Sequence, residues 1–318
     1  MVAILFSGQG SQYAGMGRSL CEASPAARRV YEEASSVLGW DVASLGASTP
    51  EEESARLAQT LYVQPAMLTL SLAALAALKE RTGLTAGAFA GFSLGEYAAL
   101  AAAGLVTLPD AVRLVSERAR LMQEQCDCKP GAMYAVLGLD DAAVERVCAE
   151  ISAAGPDAFV AAVNYNCPGQ VVVAGREESA ALAAERLKAA GAGRVVKLGV
   201  NGAFHTPLMS TAALGLEAFA RGLAFGAPLP GAVLYSNATG AAVDDIADVP
   251  AYLSRHMTGP VRFRAELEAM AASGATAFVE CGPGKVLCGL VRKTLPGALV
   301  VNVEDAKTLD AAAAALAG

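Results

Sequence analysis

Short apolar runs alternate with Ala-rich stretches of helical period along most of the chain, and this pattern predicts an α/β protein with a largely parallel sheet. The opening AILF reads as a strand that runs into the loop SGQGSQYAGMG, and AFA before Gly91 as a second strand that gives way to the helical EYAALAAAGLV. From Gly131 to about Val200 the rhythm changes. AMYAVLGL, FVAAVNYN, QVVVAG and RVVKLGV read as strands, with CPG joining the middle pair, while DDAAVERVCAEISAAG and EESAALAAERLKAAG read as helices. The order βαββαβ is the ferredoxin-like pattern of a small sheet covered by two helices. The turn-prone DCKPG precedes it, so residues 130–199 are expected to form a small subdomain inserted into a larger one made of residues 1–129 and 200–318. The Ala-rich tail after Asp310 is expected to be helical.

The stretch from Leu57 to Leu78 carries no formal charge and is long enough to span a bilayer. Gln59, Gln64, Pro65 and several hydroxyls interrupt it, and it is read as a buried helix beginning near Pro65 in a soluble, cytoplasmic protein. The start MVAILFSGQG has no basic segment and too short an apolar run for a signal peptide.

Composition narrows the classes. At 318 residues, 54% hydrophobic and 17% charged, the chain can bury a sizeable core and does not read as disordered. A net charge of −7 gives no general attraction to nucleic acid or to acidic membranes. Seven scattered cysteines and two histidines match no common metal pattern. The first glycine loop does not complete a G-x-G-x-x-G, because Tyr13 stands at its third glycine, and CGPGKV lacks P-loop spacing.

GFSLG, residues 91 to 95, fits the G-x-S-x-G elbow of an α/β-hydrolase-like core, where a serine is held on a strained turn at the N-terminus of a helix. Helix amides and dipole there favour developing negative charge. Ser93 is thus either a nucleophile or part of a simple tight turn. A serine nucleophile needs a base, and the chain offers His205, at an element boundary in NGAFHTPLM, and His256, read as a loop residue in RHMTGPVRF. A structural role is open for either. In PDAVRLVSERARLMQEQ the helical period puts Ala111, Val115, Arg118 and Met122 on one face, while Arg113, Glu117 and Arg120 project elsewhere. An arginine amid apolar residues needs an anion: a carboxylate of another segment, or a substrate carboxylate gripped by the guanidinium fork.

Taken together, FSGQGSQYAGMG, GFSLGEYAAL, ERARLMQ, NYNCPGQVVVAG, NGAFHTPLM, PVRF and CGPGKVL follow one another as in the malonyl-CoA:acyl carrier protein transacylases and their polyketide-synthase relatives, which the chain resembles over essentially its whole length. The resemblance implies that Ser93 attacks malonyl-CoA to form a malonyl ester, with His205 moving its proton. It implies an oxyanion hole from the amides of Gln12 and Leu94, Arg118 on the malonyl carboxylate, and a pocket lined by Met122, Asn166, Phe204 and Val286. Phe204 resembles the bulky residue associated with malonyl over methylmalonyl selection. The phosphopantetheine thiol of holo acyl carrier protein then takes the malonyl group, without metal or redox cofactor, in a monomer.

One position departs from the pattern. The family commonly has Gln, or Asn in polyketide relatives, where this chain has His256, and that residue's main-chain carbonyl orients the catalytic histidine. The carbonyl is expected to carry the role here, whatever the side chain. Because carrier proteins are acidic, Lys285, Arg292 and Lys293 are candidates for a docking surface, with an ordinary solvated face as the alternative. Rival readings are a serine acyl hydrolase, which has no need of Arg118, a trans-acting acyltransferase of a polyketide synthase, and an inert carrier-binding protein.

Overall fold

The AILF run is apolar at every position because its strand is buried on both faces. In the computed structural model, which describes residues 1–43, 50–57, 59–243 and 246–317, β1 (Val2–Phe6) lies inside a parallel sheet. The chain continues through α1 (Arg18–Ala23), α2 (Pro25–Leu38), α3 (Pro50–Leu57) and α4 (Thr60–Thr82) to β2 (Ala88–Gly91), α5 (Gly95–Ala102) and α6 (Leu108–Cys128). Next come β3 (Gly131–Leu137), α7 (Asp141–Ser152), β4 (Val160–Cys167), β5 (Gln170–Arg176), α8 (Glu177–Ala189) and β6 (Arg194–Lys197). The last part holds α9 (Ser210–Ala220), β7 (Val233–Ser236), β8 (Ala241–Val243), α10 (Val249–Thr258), α11 (Phe263–Ala272), β9 (Ala277–Cys281), α12 (Val286–Thr294), β10 (Leu299–Val303) and α13 (Ala306–Ala317).

Two sheets result. The larger has the order β10-β9-β1-β2-β7-β8, parallel except for the antiparallel edge strand β8. One face packs on Met67, Leu70, Leu114 and Leu216 of α4, α6 and α9, the other on Phe263, Leu267 and Leu290 of α11 and α12. The smaller sheet, β4-β5-β3-β6, is antiparallel throughout. Its one face packs on Val144, Ile151, Ala183 and Leu187 of α7 and α8; its other face, through Met133, Val163 and Val172, meets Ala203 and Phe204. The small sheet meets the connection between α10 and α11 where Asn164 bridges Val261: the Tyr165 amide donates to the Val261 carbonyl at 2.9 Å, and the Val261 amide to the Val163 carbonyl at 2.7 Å.

Local chemistry sets the ends of the long helices. Ser24 and Thr107 cap α2 and α6 by accepting from the amides of Ala27 and Asp110, and Gly39 ends α2 in the left-handed region at φ 74°. Helix α4 begins at Thr60, not near Pro65, so Pro65 lies inside it. A proline there costs the hydrogen bond to the Leu61 carbonyl, and Leu61 is exposed, where water can serve instead. Of the apolar window in α4, long enough to cross a membrane, 83% is buried within the protein. The C-terminal helix starts at Ala306, before the alanine run.

Candidate active site

Strand β2 ends at Gly91, and the chain turns within three residues into α5. The turn is possible only without side chains at its flanks: a Cβ on Gly91 would fall 1.9 Å from the Gly95 carbonyl carbon, and one on Gly95 would fall 2.0 Å from the Phe6 oxygen. Ser93, between them, has φ 52°. Among the described residues the other non-glycine residue with positive φ is His205, at φ 60°. These two strained residues meet, with Ser93 Oγ 2.7 Å from His205 Nε2.

His205 precedes a short 3₁₀ turn, Pro207–Met209, capped by the Thr206 hydroxyl, which also donates to the Ala203 carbonyl at 2.6 Å. Its Nδ1 lies 3.1 Å from the Gly259 carbonyl and 3.3 Å from the His256 carbonyl. Carbonyls only accept, so Nδ1 carries the proton and Nε2 offers its lone pair to the Ser93 hydroxyl. Burial, and then the Arg118 charge, push the imidazole down to about 4, so it is neutral at physiological pH.

Arg118 lies with Ala111, Val115 and Met122 on the buried face of α6, 2% exposed itself. Among the described residues, the carboxylate partner that would make it a structural ion pair does not appear. Its Nη1 donates to Gln64 Oε1 at 2.6 Å, its Nη2 to Ser93 Oγ at 3.4 Å, and its guanidinium carbon lies 5.2 Å from the centre of the Tyr97 ring. Its Nε has no partner among the described residues. A buried cation held by one neutral amide, an aromatic face and a serine hydroxyl leaves donors for an incoming anion.

The remaining sequence-predicted residues divide. Leu94, buried, follows Ser93 at the mouth of α5. Gln12 lies in the loop after β1, its side chain accepting from the Gly10 amide and donating to the Leu57 carbonyl. Met122 is buried against Gln64, with its sulfur 3.5 Å from Gln64 Nε2. Asn166 is buried in β4 with its Oδ1 unpaired, and Phe204 packs partly buried beside the histidine. Val286 opens α12 with 59% of its surface exposed. His256 is a correction, because it is not in a loop but in the last turn of α10, buried.

The acyl transferase domain model matches residues 4–317. The chain belongs to the acyl transferase domain family. It is 39% identical over 312 residues to the malonyl CoA-acyl carrier protein transacylase of Bacillus subtilis, covering 98% of this chain and 96% of that protein. It is 39% identical to the Escherichia coli K12 protein of the same name over 92% of each chain. The crystal structure of MCAT from Streptococcus pneumoniae superposes with a TM-score of 0.91 at 38% identity, over 99% of each chain. A type II PKS acyl-carrier protein in complex with its malonyl-transacylase gives 0.91 at 36% identity, over 98% of this chain and 99% of that one.

In this acyl transferase the structure adds residues that sequence reasoning passed over. Gln64, fully buried on α4, holds Arg118, and its polarity inside an uncharged apolar stretch was the available signal. Gly259 supplies the shorter of the two bonds to His205. Beneath Ser93 lie Glu96, Asn237, His256 and Glu266, all 2% exposed or less.

Proposed function

We propose that the protein transfers the malonyl group of malonyl-CoA to the phosphopantetheine thiol of holo acyl carrier protein through an ester on Ser93, supplying malonyl-acyl carrier protein for fatty acid synthesis. One observation carries this reading: Ser93 Oγ stands 2.7 Å from a neutral imidazole nitrogen and 3.4 Å from a buried guanidinium that has no carboxylate partner among the described residues. A hydrolase acting on simple acyl groups gains nothing from that cation. A transferase of malonyl groups needs it to hold the carboxylate and present the thioester carbonyl to Ser93.

In the first half-reaction His205 Nε2 takes the Ser93 proton as Oγ attacks the thioester carbon. The amides of Leu94 and Gln12 stabilise the oxyanion. The C–S bond breaks, His205 returns the proton to the CoA sulfur, and malonyl remains as an ester. In the second half-reaction His205 takes the carrier thiol's proton, sulfur attacks the ester carbon, the C–Oγ bond breaks, and the proton returns to Ser93 Oγ. Backbone carbonyls at Nδ1, where a hydrolase triad has a carboxylate, keep the tautomer without adding negative charge. This chemistry asks for no metal or redox cofactor.

The larger sheet with residues 1–129 and 200–318 is read as the α/β-hydrolase-like catalytic subdomain, and residues 130–199 as the ferredoxin-like one. Met122, Asn166 and Phe204 line the malonyl pocket in this reading. Exposed Lys285, Arg292 and Lys293 around α12 offer positive charge to an acidic carrier protein.

Intact-protein mass spectrometry tests the proposal. Malonyl-CoA should leave a malonyl adduct that Ser93→Ala abolishes and that holo carrier protein removes. An adduct that decays to malonate equally fast with or without carrier would make the protein a hydrolase, and no adduct would overturn the malonyl donor.

A further inference from the structure

Asn237, immediately after β7, is fully buried and makes a hydrogen bond with every polar group it has. Its amide donates to Glu96 Oε2 at 2.8 Å, and its carbonyl accepts from the Arg262 amide at 2.9 Å. Its Oδ1 accepts from the Ser93 amide at 2.8 Å and lies 3.2 Å from His256 Nε2. Its Nδ2 donates to the Gly91 carbonyl at 2.7 Å and to Glu266 Oε1 at 2.8 Å. One side chain therefore touches the start of the elbow turn at Gly91, its strained residue Ser93, and the helix whose last turn carries the carbonyl facing His205.

We propose that Asn237 is a positioning residue of the acyl transfer: it holds Ser93 at its strained φ and ties the elbow to the His256–Gly259 segment that aims His205. The inference rests on Ser93 being the nucleophile. The Ser93 amide points into the protein at Asn237 Oδ1, so the backbone cannot relax out of the left-handed region without leaving a buried N–H unpaired. His256 lies within 3.5 Å of Glu96 Oε2 and presents Nε2–H to the same Oδ1, so its side chain belongs to this device as well as its carbonyl. Burial keeps the acids and imidazole packed around Asn237 neutral. Burial pushes Glu96 up to about 8 and, helped by Glu96, Glu266 well above the carboxylate range, while burial first, and then the neighbouring His205 and Arg118, hold His256 well below its ordinary value. A neutral amide that both donates and accepts suits this place; a carboxylate would not.

The test measures the rate at which a fluorophosphonate labels Ser93, together with steady-state kinetics and thermal melting, in the full chain. N237A should label about thirtyfold more slowly, the size of one unpaired buried group, with kcat falling and KM for malonyl-CoA within about threefold, since Arg118 and Gln64 are untouched. N237D keeps the acceptor for Ser93 but sets an oxygen against the Gly91 carbonyl, and should also be slow. N237A labelling at the wild-type rate overturns the inference. If N237A does not fold, N237D decides in its place, its labelling at the wild-type rate overturning the inference, and so does NMR of the wild-type protein: the Asn237 side-chain amide protons should exchange slowly, and free exchange would overturn the role. A wild-type protein that is not labelled at Ser93 overturns the nucleophile reading itself, a result distinct from equal labelling in wild type and N237A.

Discussion

Arg118→Met removes the charge while keeping much of the apolar stem that packs on α6. A malonyl carboxylate about 4 Å from the guanidinium, in surroundings of effective dielectric about 20, gains about 4 kcal/mol, or about a thousandfold. The free protein should lose far less. The variant strands Gln64 Oε1, at a cost of about 1–3 kcal/mol, but it also relieves the burial of a cation that has no counter-charge among the described residues, a penalty of several kcal/mol. The melting temperature should therefore hold or rise while malonyl loading of Ser93 falls by about a thousandfold. Rapid-quench mass spectrometry with malonyl-CoA and acetyl-CoA in parallel reads the effect, because an acetyl group has no carboxylate and its loading should not fall with the malonyl rate. A variant that melts several degrees lower and still loads malonyl within about tenfold of wild type would show that the charge serves the fold and not the substrate.

The His205 imidazole gives a pH prediction. Because His205 is held down to about 4, the rate of Ser93 labelling should stay level as pH falls through neutrality and drop only near 4; a midpoint near 6.5 would refute the burial argument. The same depression means the unfolded state binds the proton first, so His205 supports stability above about 6.5 and withdraws that support as pH falls towards 4, visible as a falling melting temperature. His256→Gln should keep activity within about fivefold, since the carbonyl is unchanged and a glutamine amide can donate to Asn237 Oδ1, whereas a loss of orders of magnitude would refute this. Two glycines should answer oppositely to alanine. Gly95→Ala drives a Cβ into the Phe6 carbonyl and should cost about 3 kcal/mol or more in chemical denaturation, while Gly289→Ala, with open space on α12, should gain about 0.5–1 kcal/mol.

The parts of this molecule legible in its sequence are those written locally. The change of rhythm after Gly131 announced the small sheet, and GFSLG announced the elbow, because strand periodicity and close backbone approach act over a few residues. Arg118 could be found because three apolar neighbours share its helical face. Asn237 could not: its partners Gly91, Ser93 and Glu96 stand more than 140 positions away in the chain. Glu96 resembled the ordinary acidic residue of a first helical turn, and only the packing of β7 and α10 over it makes it a buried acid. Pro65 misled because proline most often marks a beginning, whereas here the chain had already wound more than a turn of α4 on the exposed side.

Val261 sits two residues beyond Gly259, whose carbonyl faces His205 Nδ1, and it is stitched to β4 on both sides of Asn164. The small sheet is therefore not hung on a slack hinge where it meets the α10–α11 connection. A shift of the small sheet here would pass through two hydrogen bonds and two peptide units to the carbonyl that faces the His205 imidazole.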